Sequence, residues 1–228
     1  MDEKNDLTII YYTANTTREP FATNVREILW KAKGGSHLIS VSQKPMDFGE
    51  NIVVDLKPAH ISVYKQILIG AKAAKTKFVA LAEDDCLYSK EHFEFRPDPN
   101  EFAYDMARWS IYSWSRPPIY SIKYRIVNSM MIASRDLLVE ALEERFKKFP
   151  DESKIPLRYF GEMGRHERRL GVTRRKMRQF ASTVPSITFS HPQALGFQYT
   201  RRKKKIGILR TYDIPYWGRA DNMINNIF

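Results

Sequence analysis

Short apolar runs rich in β-forming residues alternate with segments of helical periodicity over the first 82 residues. The strand candidates are residues 7–13, 37–42, 51–56 and 77–82. The helix candidates are residues 21–31 and residues 62–74, in which Val63, Ile67, Ala71 and Ala74 form one stripe. Strands that alternate with helices predict an α/β fold with a mostly parallel central sheet flanked by helices.

The second half of the chain has a less regular pattern. Residues 97–125 are rich in Trp, Tyr, Pro and Arg without a clear period, which predicts an irregular lid or acceptor-facing segment. Residues 129–133 are typical of a buried strand, and Ser134 is placed to cap a helix whose apolar stripe is Leu137, Leu138, Ala141, Leu142 and Phe149. A last strand candidate covers residues 186–190. The chain has no internal repeat and no low-complexity linker, so we expect a single domain over residues 1–228.

Composition narrows the class of protein. Of 228 residues, 43% are hydrophobic and 13% aromatic, which is typical of a folded globular chain. The first six residues are polar, and no stretch approaches the roughly 18 apolar residues that span a bilayer, so we expect a cytoplasmic protein. The single cysteine, Cys86, excludes an internal disulfide and a multi-cysteine zinc site, so a metal ion would need oxygen or imidazole ligands.

Three adjacent acids, Glu83, Asp84 and Asp85, directly follow the apolar run FVALA. In an open parallel sheet this is the carboxyl edge, where ligands bind. Adjacent carboxylates repel one another, and a hard divalent cation such as Mn²⁺ or Mg²⁺, shared with diphosphate oxygens, would neutralise them. A solvated acidic turn that caps the next helix is the alternative.

The stretch YKQILIGAKAAKTKFVALAEDDCLY resembles the helix, strand and acidic motif of nucleotide-sugar glycosyltransferases of the GT-A fold, especially family 2. The resemblance implies a hexosyltransferase-type enzyme with a UDP-sugar donor. It also implies that Asp85 binds the metal and that Asp84 faces the donor ribose or a metal-bound water. Residues 1–95 would form the nucleotide-sugar part, and residues 96–228 would form the acceptor and catalytic part.

The same resemblance suggests further donor contacts. Thr13, Asn15 and Arg18 follow the first strand, although Thr and Asn are also common in helix caps and turns. Gln43 follows the second strand, and Lys65 and Gln66 lie on the second helix, where Lys65 could equally be a solvated charge. His191 ends the last strand candidate and is a candidate metal ligand, or else a structural histidine.

An inverting transferase needs one carboxylate that faces the acceptor without binding the metal. The segment FGEMGRHERRLG resembles the catalytic segment of family 2 enzymes and aligns Glu162 with the expected acid. Met163 stands where that family often has Asp, so Glu167 or Asp151 could instead be the base. Glu162 could also merely pair with neighbouring arginines.

The net charge of +11 is concentrated in the C-terminal third of the chain. Two basic runs, with nearby Trp and Tyr side chains, are typical of a nucleic-acid surface and predict contacts from Arg174, Arg175, Lys176, Arg201, Arg202 and Lys203. Double-stranded DNA containing hydroxymethylated pyrimidines, as modified by some bacteriophage transferases, is one candidate acceptor. A surface polysaccharide, a lipid-linked sugar or a protein is another. A non-catalytic nucleic-acid-binding protein is the third hypothesis.

Overall fold

The structure is a computed structural model that describes residues 6–57, 59–122, 124–189 and 207–228. Its strands are β1 (Leu7–Thr13), β2 (His37–Ser42), β3 (Glu50–Val53), β4 (Phe78–Glu83), β5 (Cys86–Leu87), β6 (Glu101–Asp105), β7 (Arg108–Tyr112), β8 (Ile119–Ile122), β9 (Met131–Ser134), β10 (Lys176–Phe180), β11 (Ser186–Phe189), β12 (Arg210–Thr211), β13 (Asp213–Ile214) and β14 (Gly218–Arg219). Its helices are α1 (Phe21–Ala32), α2 (His60–Ala73), α3 (Lys90–Glu94), α4 (Arg135–Lys148), α5 (Leu157–Phe160), α6 (Glu167–Leu170) and α7 (Ala220–Ile227).

The central sheet has seven strands in the order β3-β2-β1-β4-β9-β6-β10. The pairs β3/β2, β2/β1, β1/β4 and β6/β10 are parallel, and only β9 runs antiparallel to its two neighbours. The predicted fold class, an α/β protein with a mostly parallel sheet flanked by helices, is therefore confirmed.

Helices cover both faces of this sheet because the strands carry apolar side chains on both sides. On one face, Ile10 and Val41 pack with Ile67 of α2 and Leu142 of α4. Helix α2 approaches very closely, since a Cβ on Gly70 would lie 2.5 Å from Cγ2 of Ile10. On the other face, residues of β1 and β4 pack against α1 and α3. All seven side chains of β1 are buried, as expected for a central strand between two helical layers.

A second sheet has five strands in the order β12-β8-β7-β11-β5. Strand β5 follows the acidic turn directly, so this sheet begins at the carboxyl edge of β4. Its apolar face packs against α1 and α7 through a cluster that includes Phe21, Ile111, Ile187 and Ile227.

The prediction of an irregular segment over residues 97–125 was wrong, because this region contains β6, β7 and β8. Strand β6 lies inside the central sheet, and β7 and β8 form the middle of the second sheet. Strands β7 and β8 pair with each other as a hairpin, whereas β6 pairs with β9 and β10, and β7 also pairs with β11, all of which lie farther along the chain.

The helix predicted after Ser134 is confirmed as α4, with Leu138, Ala141 and Leu142 buried. Ser134 does occupy the N-cap position, but its side chain makes no capping hydrogen bond. No helix among the described residues is both long and apolar enough to span a bilayer.

Candidate functional site

The acidic triplet lies where β4 ends and the chain turns into β5. Glu83 is the last residue of β4 and is paired with Tyr12 of β1, while Thr13 at the end of β1 is paired with Ser42 at the end of β2. The carboxyl ends of three parallel strands therefore meet beside the three acids. Such an edge presents loops and side chains to a ligand without interrupting the sheet.

Each acid faces a different part of this edge. Oε1 of Glu83 accepts a hydrogen bond from the Tyr12 hydroxyl at 2.6 Å. Oδ2 of Asp84 accepts from Oγ1 of Thr13 at 2.5 Å and from Oγ1 of Thr17 at 2.9 Å. Asp84 is thus turned toward the loop after β1.

Asp85 is turned toward the second sheet. Its backbone carbonyl accepts from the backbone N–H of Phe189 at 2.8 Å, and its Oδ1 accepts from the Cys86 thiol at 3.2 Å. The triplet therefore lies between the loop after β1 on one side and strand β11 on the other.

The environment of the acids disfavours three negative charges. Burial raises the pKa of Asp85 well above its usual range, and the neighbouring Glu83 and Asp84 charges raise it further. Burial also raises the pKa of Glu83 and of Asp84. The hydroxyl groups that donate hydrogen bonds to these two carboxylates lower the pKa, but by less. A bound cation would remove this cost by neutralising the carboxylates.

The geometry fits a divalent cation. One potential ligand atom each from Glu83, Asp85 and Cys86 lies within 4.8 Å of the others. Burial raises the pKa of the Cys86 thiol well above its usual value, which disfavours the thiolate form. Glu83 and Asp85 supply carboxylate oxygens, which hard cations such as Mg²⁺ and Mn²⁺ prefer.

The loop after β1 is tied to the end of β2. Asn15 has a φ of 54°, in the left-handed region that Asn tolerates, and its Oδ1 accepts from the backbone N–H groups of Gln43 and Lys44 at 2.8 and 2.9 Å. Nε2 of the buried Gln66 donates to the carbonyls of Thr13 and Val41 at 2.8 and 2.9 Å. Asn15 and Gln66 therefore hold both loops beside the triplet.

Three predicted donor residues differ in where their side chains lie. Thr13 contacts Asp84 directly, whereas Arg18 is exposed on the loop after β1. The ammonium group of Lys65 is paired with Glu152 rather than with any acid of the triplet. On α2 it is the adjacent Gln66 that points into the strand ends.

Glu162 lies on the loop between α5 and α6. Its carboxylate is 3.9 Å from Arg165 and affects the phenol of Tyr64 electrostatically. The pKa of Tyr64 is raised to about 12, first by burial and then by the charges of Glu162 and Glu83, opposed by a hydrogen bond from Asn128. Tyr64 therefore lies within electrostatic reach of both Glu162 and the triplet.

The two alternative bases have other partners. Glu167 is buried and accepts from Nη2 of Arg145 at 3.3 Å and from the backbone N–H of Gly164. Asp151 is exposed, and its Oδ1 accepts from the backbone N–H and the hydroxyl of Ser153. Neither carboxylate is as free to meet an acceptor hydroxyl as that of Glu162.

The predicted basic surface is only partly covered by the structure. Arg174 and Lys176 are exposed, whereas Arg175 is paired with Glu140 at 2.8 Å and Glu144 at 2.7 Å. The remaining predicted residues of this surface, and the candidate metal ligand, lie outside the described residues: Arg201, Arg202, Lys203 and His191.

The sequence reasoning missed three residues close to the triplet: Thr17, Tyr64 and Arg108. Thr17 had a signal, because it lies in the polar loop after β1 together with Asn15 and Arg18. Tyr64 also had a signal, because it lies on the predicted second helix next to Lys65, whereas Arg108 reaches the site from β7, whose place is set by long-range pairing. Burial lowers the pKa of Arg108, while the nearby Cys86, Asp85 and Glu83 raise it.

No family model matches this chain, and no curated protein matches its sequence. Among solved structures, it is similar to a glycosyltransferase involved in the glycosylation of the major capsid of PBCV-1, with 12% identity and a TM-score of 0.48 over 83% of this chain and 96% of that one.

The chain is also similar to residues 1–349 of TarS from S. aureus, with 13% identity and a TM-score of 0.44 over 81% of this chain. It spans only 60% of that TarS chain. A third similar structure is 2-C-methyl-D-erythritol 4-phosphate cytidylyltransferase from Thermus thermophilus, with 11% identity and a TM-score of 0.48 over 83% of this chain and 95% of that one.

Identities of 11–13% and TM-scores below 0.5 transfer neither an activity nor a ligand to this chain. Its own fold and site define an α/β protein with a candidate divalent-cation site at the carboxyl edge of a mostly parallel sheet.

Proposed function

We propose that this chain is a metal-dependent glycosyltransferase that moves a sugar from a nucleotide-diphosphate donor, UDP-sugar, to a hydroxyl acceptor. The observation that carries the proposal is the acidic triplet Glu83, Asp84 and Asp85 beside the polar loop after β1, with Tyr64 in electrostatic reach of both Glu83 and a further carboxylate, Glu162. A cation-binding edge with a separate free acid is the minimum that direct displacement of a nucleotide requires.

The donor end of the proposed site is formed by the loop after β1 and the triplet. Asp85, with Glu83, would hold the divalent cation, and His191 is proposed as a further ligand. When bound, the cation stabilises the charge that develops on the departing diphosphate. Asp84, which accepts hydrogen bonds from Thr13 and Thr17, would face the donor ribose or a metal-bound water, beside the loop that Asn15 ties to Gln43.

Glu162 is proposed as the general base. Its carboxylate would take the proton from the acceptor hydroxyl while that oxygen forms a bond to the anomeric carbon and the bond to the diphosphate breaks. A single displacement of this kind inverts the anomeric configuration. The proposal is supported by the partial exposure of Glu162 and by its 3.9 Å separation from Arg165, which is too long for a tight ion pair.

For the acceptor, we propose hydroxymethylated pyrimidine in DNA. The net charge of +11 and the exposed Arg174 and Lys176 support a polyanionic acceptor. The ion pairs of Arg175 with Glu140 and Glu144 reduce the number of cations that are free for phosphates. A polysaccharide, lipid-linked sugar or protein acceptor would use the same donor chemistry.

Calorimetry with UDP tests the donor half of the proposal. We expect UDP to bind with Mn²⁺ and to bind at least tenfold more weakly with excess EDTA. Asp85→Asn should lose the gain in UDP affinity that Mn²⁺ gives. Asp98→Asn, which changes an exposed carboxylate, should keep that gain. UDP binding that is equal with and without Mn²⁺ would contradict the metal assignment.

Transfer assays test the other half. Glu162→Gln should keep Mn²⁺-dependent UDP binding and lose transfer, while Glu94→Gln, in an exposed i,i+4 pair with Lys90, should keep both. Turnover with hydroxymethylpyrimidine duplex DNA, but not with unmodified duplex, would identify the acceptor. Tight DNA binding without any nucleotide binding would instead indicate a non-catalytic nucleic-acid-binding protein.

A further inference from the structure

The second sheet has one apolar face and one polar face. Strands β7, β11 and β5 pair so that Ser110 lies beside Thr188 and Thr188 beside Cys86. Arg108 lies two residues before Ser110 and therefore points to the same face. The intervening residues Trp109, Ile111, Ile187, Phe189 and Leu87 form the apolar face. A polar row thus runs across the sheet and ends next to Asp85.

Arg108 is the one cation of this row among the described residues, and only 3% of its surface is exposed. Its Nη1 donates to Oγ1 of Thr188 at 3.2 Å and more weakly to Oγ of Ser110 at 3.4 Å. Its Nε and Nη2 are buried and have no hydrogen-bond partner. An arginine so buried normally has its donors satisfied, because an unpaired buried charged donor is costly.

The two unpaired atoms belong to the same edge of the guanidinium. Nε–H and one Nη2–H point in parallel, and this edge matches two oxygens of a carboxylate or a phosphate. Glu83 and Asp85 are near enough to act on Arg108 electrostatically, yet neither accepts a hydrogen bond from it. The edge is therefore an unused pair of donors whose spacing suits an oxyanion.

We propose that the Nε/Nη2 edge of Arg108 binds an oxyanion of the bound nucleotide sugar, at the end of the site opposite the loop after β1. This inference rests on the proposed function. The oxyanion has two possible sources in such a ligand, the diphosphate and a carboxylate on the transferred sugar.

The position of Asp85 indicates which end of the proposed donor site adjoins Arg108. Asp84 faces the loop after β1, whereas Asp85 is bonded to β11 and adjoins the polar row. A donor whose nucleoside lies against that loop and whose diphosphate lies at the cation site would extend its sugar toward β7 and β11. Arg108 approaches from this side and adds a positive charge where the diphosphate leaves.

The edge has no accessible surface, so binding requires the side chains around it to separate. Arg125 is exposed and acts electrostatically on Arg108, which places a second cation near the Arg108 guanidinium. Two neighbouring arginines repel each other, and an arriving anion relieves that repulsion.

The experiment compares wild type, Arg108→Lys and Arg108→Met by calorimetry with Mn²⁺ and three probes: UDP, UDP-glucose and UDP-glucuronic acid. Lysine keeps the charge but lacks the paired donors, so a merely structural or charge-balancing role would leave Arg108→Lys close to wild type. Arg96→Lys and Arg96→Met are the matched controls, because Arg96 forms a partly exposed pair with Asp6. Melting temperatures show that each variant is folded.

If the diphosphate is the oxyanion, both Arg108 variants should bind all three probes about 10- to 100-fold more weakly. If the sugar carboxylate is the oxyanion, only UDP-glucuronic acid should weaken by this factor. Binding of all probes within twofold of wild type in folded Arg108→Lys overturns the inference and leaves the proposed function standing. Absence of Mn²⁺-dependent binding in wild type itself refutes the proposed function and the inference with it.

Discussion

Arg145 and Glu167 form a buried ion pair that fixes the loop on which Glu162 lies. Arg145 is fully buried in α4, and its Nη1 donates to the carbonyls of Phe160 and Gly161, while Nη2 donates to Glu167 at 3.3 Å. We predict that Arg145→Met destabilises the protein strongly and abolishes transfer, because the loop loses its anchor.

The magnitude follows from what the substitution leaves behind. Methionine approximates the length of the arginine stem, so little cavity forms, but the Glu167 carboxylate stays buried without its cation. Breaking a buried pair in this way costs about 3–5 kcal/mol. For a chain of this length each kcal/mol lowers Tm by about 2–4 °C, so Tm should fall by about 6–20 °C.

Thermal unfolding followed by circular dichroism measures this effect. The double variant Arg145→Met/Glu167→Gln should recover much of the loss, because the introduced glutamine carries no charge and can still accept from the backbone N–H of Gly164. Arg135→Met, at a partly exposed position on the same helix, should change Tm by less than about 4 °C. If Arg145→Met melts within about 2 °C of wild type, or if the double variant is no more stable than the single one, the buried pair does not anchor the loop.

Three further predictions concern hydrogen bonds that the structure shows. Burial raises the pKa of Asp105, but hydrogen bonds from His92 and from backbone N–H groups outweigh it and hold the pKa below its usual value. The ionised Asp105 therefore stabilises the fold above about pH 4, and this stabilisation is lost as the pH falls through the lowered pKa. The free energy of unfolding of Asp105→Asn, measured against pH, should lack this acid-dependent loss. Gln66→Leu removes two buried hydrogen bonds, to the carbonyls of Thr13 and Val41, and should cost about 1–3 kcal/mol in urea unfolding. Thr17→Val removes one of the two hydroxyl hydrogen bonds that orient Asp84. It should weaken Mn²⁺-dependent UDP binding about tenfold in calorimetry without lowering Tm.

The parallel part of the fold could be predicted because its signals are local. Strands β1, β2 and β4 are short β-rich runs, and α1, α2 and α4 carry apolar stripes at helical spacing. Sequence alone also placed the acidic triplet at the carboxyl edge, because a parallel strand in an α/β unit brings its end to that edge.

The second sheet could not be predicted for a physical reason. Strand β7 does alternate, but its polar face, with Arg108 and Ser110, is buried rather than solvated. A buried polar face breaks the usual link between polarity and exposure, and the partner strand β11 lies far along the chain. Residues 97–125 therefore looked irregular.

The sequence by itself determined the strand-helix alternation, the parallel sheet and the location of three carboxylates at its edge, since each depends on residues close together in the chain. Only the tertiary structure decided which side chains surround them. Gln66 rather than Lys65 reaches the strand ends, Arg145 holds the Glu162 loop, and Arg108 arrives from the second sheet with an unpaired edge. These contacts join residues far apart in sequence, and their geometry is set by packing, which no local pattern encodes.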